Sequence, residues 1–263
     1  MVKVSDVMSV MEKIAPKKLA EDWDNPGLLV GSPKNEVTKI LVALDATDRV
    51  AEKAIDIGAE LIVTHHPMIF KPLKHIRTDL PEGEKIQKLM KHDISVFAAH
   101  TNLDSAIGGV NDILAQTIGL TEIKPLLSSP EDVPTLGRVG YLNNEIDIDG
   151  FSKMVKSKLN ADYVRVIKGD NRKIKKVALC GGSGAEFISK ASFLGADAYI
   201  TGDVRYHDGE RAKALGIHVI DAGHFATEYP IVKALAKMLR NETILKDVDI
   251  VEDTEGRDVF TVV

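Results

Sequence analysis

Gly58-Ala59-Glu60-Leu61-Ile62-Val63-Thr64 holds a short apolar run, and it is echoed by Gly195-Ala196-Asp197-Ala198-Tyr199-Ile200-Thr201. Runs of four to six residues rich in Val, Ile and Leu read as buried strands when helix-length amphipathic segments separate them. Working outward, Val42-Ala43-Leu44 precedes the first copy at nearly the interval at which Val177-Ala178-Leu179 precedes the second. Ile94-Ser95-Val96 follows the first as Ile217-His218-Val219 follows the second. The shared order and spacing predict an internal repeat of two βαβαβ-type halves. The expected fold class is therefore α/β, with mainly parallel sheets and a functional site at the strand carboxyl ends between the halves.

Strands are expected at 40–45, 61–64, 94–98, 177–180, 198–201 and 219–221. Helices are expected at 5–14, 49–58, 83–92, 185–194 and 205–215, with a long one over 224–240. The stretch Lys124 to Gly137 contains Pro125, Pro130, Pro134 and Ser128-Ser129 and is the expected boundary. It divides the chain into residues 1–126 and 127–263, with strand, helix and strand expected at 138–142, 151–159 and 163–167.

Composition narrows the classes. The 263 residues are 44% apolar and 28% charged, with a formal net charge of -5. Such a chain buries a sizeable core, so disorder and coiled coil are poor readings. No global positive field points to nucleic acid as a partner. The start lacks the apolar segment of a secretory signal, and no run is long enough to span a membrane, so a cytoplasmic protein is expected. Cys180 is the single cysteine, and one thiol makes neither an internal disulfide nor a cysteine-based zinc site. A metal would have to be held by His and carboxylates.

In open α/β sheets ligands bind beyond the carboxyl ends of the strands. Those positions hold His65-His66-Pro67, then His100-Thr101-Asn102-Leu103-Asp104, then Asp221-Ala222-Gly223-His224 with Glu228. Proline after His66 takes the chain out of the ladder, so both rings can converge. His224 and Glu228, four apart, share a helix face. Imidazoles with two carboxylates suit borderline divalent cations, and a carboxylate such as Glu228 can bridge two of them. A bland reading stands beside this one: single histidines at strand ends usually serve structure, and Asp104 could cap the helix expected near Gly109. His75, His92 and His218 read as surface or core residues.

Asp22-Trp23-Asp24-Asn25-Pro26-Gly27-Leu28, Thr64-His65-His66-Pro67, His100-Thr101-Asn102-Leu103-Asp104 and Asp221-Ala222-Gly223-His224-Phe225-Ala226-Thr227-Glu228 resemble the successive motifs of the YbgI-like family. The family is also called GTP cyclohydrolase 1 type 2 homologues or NGG-interacting-factor-like proteins. The resemblance implies a dinuclear site with ligands His65, His66, Asp104, His224 and Glu228, Glu228 being the bridge. It implies two divalent cations per chain, of zinc, manganese, iron, cobalt or nickel, and a toroidal homohexamer. Longer members of that family carry a domain inserted between the halves, and the short Lys124 to Gly137 connection with the modest segment after it predicts that it is missing here. If the family name holds, a metal-activated water attacks C8 of the guanine ring, opening the imidazole with release of formate. The alternative is a non-enzymatic metal-binding or regulatory ring protein.

Further candidates lie nearby. Asp203 and His207 follow the strand equivalent to that before His65-His66, which suits groups that orient a ligand or move a proton. Thr101 and Asn102 could orient water or substrate, or simply shape the loop before Asp104. Asp45, Asp24 and Asn25 could approach the same pocket, while Trp23 suits core or subunit packing. Cys180-Gly181-Gly182-Ser183-Gly184 follows a strand and could cradle an anion with backbone N–H groups, although Phe187 stands where the dinucleotide fingerprint needs glycine. A nucleotide-binding module without catalysis is accordingly the weakest reading.

Overall fold

Leu61–Thr64 lies between two parallel neighbours and is wholly buried, as its unbroken apolar run requires. In the computed structural model, which describes residues 1–127 and 134–263, the strands in chain order are β1 (Gly27–Val30), β2 (Lys39–Ala43), β3 (Leu61–Thr64), β4 (Ser95–Ala98), β5 (Thr121–Pro125), β6 (Arg138–Ile146), β7 (Arg165–Ile167), β8 (Ile174–Leu179), β9 (Ala198–Thr201), β10 (His218–Asp221) and β11 (Asp249–Glu252). Two units are distinguished: Met1–Ala106 with Val232–Gly256, and Ile107–Ile231 with Arg257–Val263. The expected boundary stretch lies later, within the second unit, and its residues 128–133 fall outside the described ones.

The first unit has the sheet order β1-β4-β3-β2-β11, parallel throughout except for β1 against β4. The second has β5-β6-β8-β9-β10-β7. There only β8, β9 and β10 run parallel; β5, β6 and β7 pair antiparallel, so this sheet is mixed rather than mainly parallel. The first sheet thus holds four adjacent parallel strands and the second three, each run ending beside an antiparallel strand, β1 against β4 and β7 against β10.

The repeated heptapeptide has a physical meaning. Gly58 and Gly195 take φ of 67° and 72°, the left-handed region that ends a helix at little cost to glycine. Ala59 and Ala196 are buried. Glu60 accepts the backbone N–H of Lys39 at 2.8 Å, and Asp197 accepts that of Lys176 at 2.8 Å, so each acid ties the start of the neighbouring strand. Burial raises the Glu60 pKa, but the bonds from Thr38 and Lys39 outweigh it and lower it. Register refines one expected match: Leu61 faces Ile40 and Ala198 faces Val177, so Ile40-Leu41-Val42 is the counterpart of Val177-Ala178-Leu179. Ser95 and His218 occupy equivalent places, as expected.

Two expected helices differ. The long one breaks into His224–Glu228 and Pro230–Arg240, because Pro230 lacks the N–H a continuous helix needs and is favoured at a helix start. The segment after Gly184 begins as a 3-10 turn, Ala185–Phe187, before the helix Ile188–Phe193. Around β2 and β3 the first core gathers Leu41, Ile62 and Val96 against Val50, Ala51 and Ala54 of the helix Asp48–Ile57. In the second unit Phe151, Val155 and Leu114 pack on one face of the sheet, and Ile188, Ala191 and Ala212 on the other. No described helix is long and apolar enough to cross a membrane.

Candidate functional site

The first unit gathers imidazoles. His65 and His66 leave the end of β3, and His100 follows β4, its parallel neighbour. Their ring centroids lie 4.8 Å (His65–His66), 5.4 Å (His65–His100) and 5.7 Å (His66–His100) apart, and one ring nitrogen of each lies within 4.8 Å of the others. The turn is braced by Thr64, whose hydroxyl donates to the His66 carbonyl at 2.8 Å. Asp104, on the short helix Thr101–Ser105, brings a carboxylate oxygen to 3.6 Å from His65 Nε2.

Each ring is tied at Nδ1. His65 Nδ1 lies 2.9 Å from the Ala99 carbonyl, His66 Nδ1 2.8 Å from Asp45, and His100 Nδ1 2.9 Å from Asp24. All three partners are acceptors at pH 7, so Nδ1 carries the proton and donates; the assignment follows from the partners. Burial raises the Asp24 pKa, but hydrogen bonds from His100 and Thr101 outweigh it and hold the carboxyl at about 2. The carboxylate therefore stays charged at any ordinary pH.

The second unit brings His224 and Glu228 together on one short helix, Nε2 to carboxylate oxygen 3.1 Å. His224 Nδ1 is held 2.8 Å from Asp203, which lies just beyond β9 with a left-handed φ of 54°. Gly182 is what lets Glu228 lie where it does: a Cβ there would stand 2.1 Å from Glu228 Oε1, and its φ of 63° already favours glycine. This glycine requirement was invisible in the sequence, because its cause is a residue far along the chain.

In both units the same electrostatic problem arises. With Nδ1 donating, a neutral imidazole presents the Nε2 lone pair, and in His65 and His224 that atom faces a carboxylate oxygen. Two electron-rich groups at that spacing repel unless a proton or cation lies with them. Imidazole nitrogen with carboxylate oxygen is also a donor set that suits a borderline divalent ion, with the Asp–His contacts behind it setting ring tautomer and orientation. The residues thus fit a metal on their own chemistry.

Other candidates sort by what they touch. Thr101 is buried; its hydroxyl donates to Asp24 at 2.6 Å and accepts the Glu21 N–H at 2.9 Å. Asn102 donates to the Ala15 carbonyl at 2.7 Å. Both hold the loop before Asp104. His207 stands exposed with its ring against Tyr206, and none of the His/Cys/Asp/Glu groups among the described residues includes it. The Cys180–Gly184 loop is no anion cradle: Gly181, Gly182 and Gly184 donate instead to Asn111, Thr227 and Thr201. Trp23 is 61% exposed, not core, and sits edge-to-face on Phe70 and His100 at 5.8 and 6.0 Å.

Comparison with known proteins agrees with the fold. The family model described as Duf34/NIF3 (NGG1p interacting factor 3) matches residues 2–255. A Clostridium perfringens protein named GTP cyclohydrolase 1 type 2 homolog is 39% identical over 259 residues, covering 98% of each chain. A solved Bacillus cereus protein related to NIF3 superposes with a TM-score of 0.93 at 28% identity, covering 100% of this chain and 99% of that one. A Staphylococcus aureus hypothetical protein gives 0.92 at 32% identity, covering 99% of both.

Proposed function

The chain belongs to the Duf34/NIF3 family, and we propose that it is a dinuclear metal-dependent hydrolase acting on GTP or a related small molecule. The observation that carries this reading is the paired arrangement of His65 with Asp104 and His224 with Glu228, Nδ1 tied back and Nε2 facing a carboxylate. In this reading His65, His66, Asp104, His224 and Glu228 would hold a pair of divalent ions. Bound there, such a pair lowers the pKa of a water to near 7 and offsets negative charge developing on the substrate.

The chain's own residues have separable tasks. Asp45 and Asp203 keep the proton of His66 and His224 on Nδ1, so that Nε2 is the donor atom. Asp24, charged throughout, fixes His100 beside the other two rings. The carboxylates of Asp104 and Glu228 offset much of the charge of the ions. The GTP assignment draws on the names of relatives, and the chemistry it requires is addition of one water at C8 with ring opening to a formamide, followed by hydrolysis of that formamide by a second water to the free amine and formate. A homohexamer is part of the proposal, and light scattering of the purified protein should give a mass near six chains.

The decisive test is metal content by elemental mass spectrometry on protein prepared without affinity tag or chelator. About two ions per wild-type chain, with marked loss in Glu228→Ala, are expected. Formate release from GTP should then vanish in both His66→Ala and Glu228→Ala. Fewer than ~0.2 ions per wild-type chain after reconstitution with zinc, manganese or iron would overturn the metal reading. Full metal with no turnover of GTP or related nucleotides would leave the ions and remove the hydrolase.

A further inference from the structure

The second unit holds a cavity of about 630 Å³ that the metal reading does not use, lined from β7, the helix Tyr206–Leu215 and the loop Val204-Arg205. Its size falls within the range of small-molecule sites, about 300 to 1,000 Å³. The apolar part is Val166, Ile167 and Val204. Gly209 lies on the helix opposite Ile167, where a Cβ would make only ordinary van der Waals contact at 3.4 Å.

The polar part is cationic, against the trend of a chain whose net charge is -5. Arg165, Lys168, Arg205 and Lys213 contribute positive charge; Glu210 and Asp221 are the carboxylates. Asp221 is already engaged: it is buried, pairs with Arg165 and accepts the backbone N–H groups of Val204 and Gly223. Lys168 meets Asp149 at 2.7 Å in a pair more than half exposed on both sides, a contact water weakens and a ligand can replace. Arg205 and Lys213 form no ion pair among the described residues, although the Glu210 carboxylate lies on the same lining. Tyr206, also on the lining, is 77% exposed, with its ring edge-to-face on His207 at 5.5 Å.

We propose that the cavity between β7 and the helix Tyr206–Leu215 binds a phosphate monoester carrying a flat ring, of the chemical class of a nucleoside monophosphate. The phosphate meets Arg205 and Lys213, the ring lies against Tyr206, and the apolar floor takes the remainder. The proposal is independent of the metal assignment, because none of the five proposed ligands lines the cavity.

The test is calorimetric titration of the whole protein with adenosine 5′-monophosphate, beside adenosine and inorganic phosphate as separate ligands. Binding of the monophosphate should weaken by about tenfold or more in Arg205→Glu/Lys213→Glu, and also with added salt. Adenosine and phosphate should each bind more weakly than the joined molecule, and His66→Ala should bind the monophosphate like the wild type. Both charge-reversed residues are exposed, and an unchanged melting temperature shows that the variant is folded. Equal affinity in wild type and double variant overturns the proposal. So does loss of binding in His66→Ala alone, which would put the phosphate on metal, or a changed oligomeric mass in the double variant, which would make the surface a contact between copies.

Discussion

The ends of β3 and β9 are equivalent by register, yet one carries His65-His66 and the other Gly202-Asp203. The frames around them agree closely: Ala99 N–H donates to the Thr64 carbonyl and Ala222 N–H to the Thr201 carbonyl, both at 2.9 Å. Backbone geometry therefore does not decide which unit carries the imidazoles; the side chains laid on it do. In the first unit the strand end supplies two rings. In the second it supplies Asp203, the partner that holds a ring from the next loop. One scaffold thus serves once as donor of imidazoles and once as their support.

The largest expected break in this comparison is Gly182→Ala. Its counterpart by register in the first unit is Asp45, which holds His66, whereas here a new Cβ would overlap Glu228 and the backbone would remain in the left-handed region. A loss of about 3 kcal/mol in unfolding free energy is expected, together with reduced metal content. Near-wild-type values of both would show that Glu228 has room to move and that the close approach is incidental.

Next come the two supporting carboxylates, compared directly. Asp45→Asn and Asp203→Asn keep size but remove charge behind His66 and His224. Each should lower metal affinity about 10- to 100-fold, measured by competition with a chromogenic chelator. A loss in one variant alone would mean that the two units contribute unequally to the proposed ion pair.

The strand ends were legible in the sequence because buried parallel strands are short, apolar and bounded by polar residues, and His65, His66 and His224 stand just after them. The acids behind the rings were only partly legible. Asp24 and Asp45 lie on loops far in sequence from His100 and His66, and only the fold shows which ring each one holds. Gly182 shows in the sequence only as one glycine of a glycine-rich loop after a strand, since nothing local reveals that Glu228 needs the space. Strands at the places of β6 and β7 were legible, but their antiparallel direction was not, because periodicity shows that a strand exists and not its direction.

A third test uses a pair with no counterpart. Gly223 stands where register puts the equivalent of His100, so only the first unit has an Asp24–His100 contact. Asp24 is held at about 2 when folded against 3.8 for a free group, its side chain inaccessible to water. The stabilisation is complete above the unfolded value and is lost as pH falls towards the folded one. Between pH 5 and pH 2 the wild type should lose about 2 kcal/mol that Asp24→Asn does not lose, in denaturant titrations of metal-free protein. Parallel curves for the two proteins would mean that Asp24 titrates normally.

The smallest expected effect separates the first crossover helices. Thr47 accepts the Val50 N–H at 3.2 Å and opens the regular helix Asp48–Ile57, so Thr47→Ala should cost about 1 kcal/mol. At the corresponding place in the second unit Gly184 offers no side-chain cap, and a serine there looks like a simple gain. Packing forbids it: a Cβ on Gly184 would lie 2.7 Å from Cys180 Cβ and 2.9 Å from Tyr199 Oη, whose hydroxyl donates to the Gly184 carbonyl. Gly184→Ser should therefore lose about 1 kcal/mol rather than gain it, and the 3-10 start of that segment is the geometry these contacts leave open. A stabilised Gly184→Ser in thermal unfolding would show instead that the turn is short merely for want of a cap.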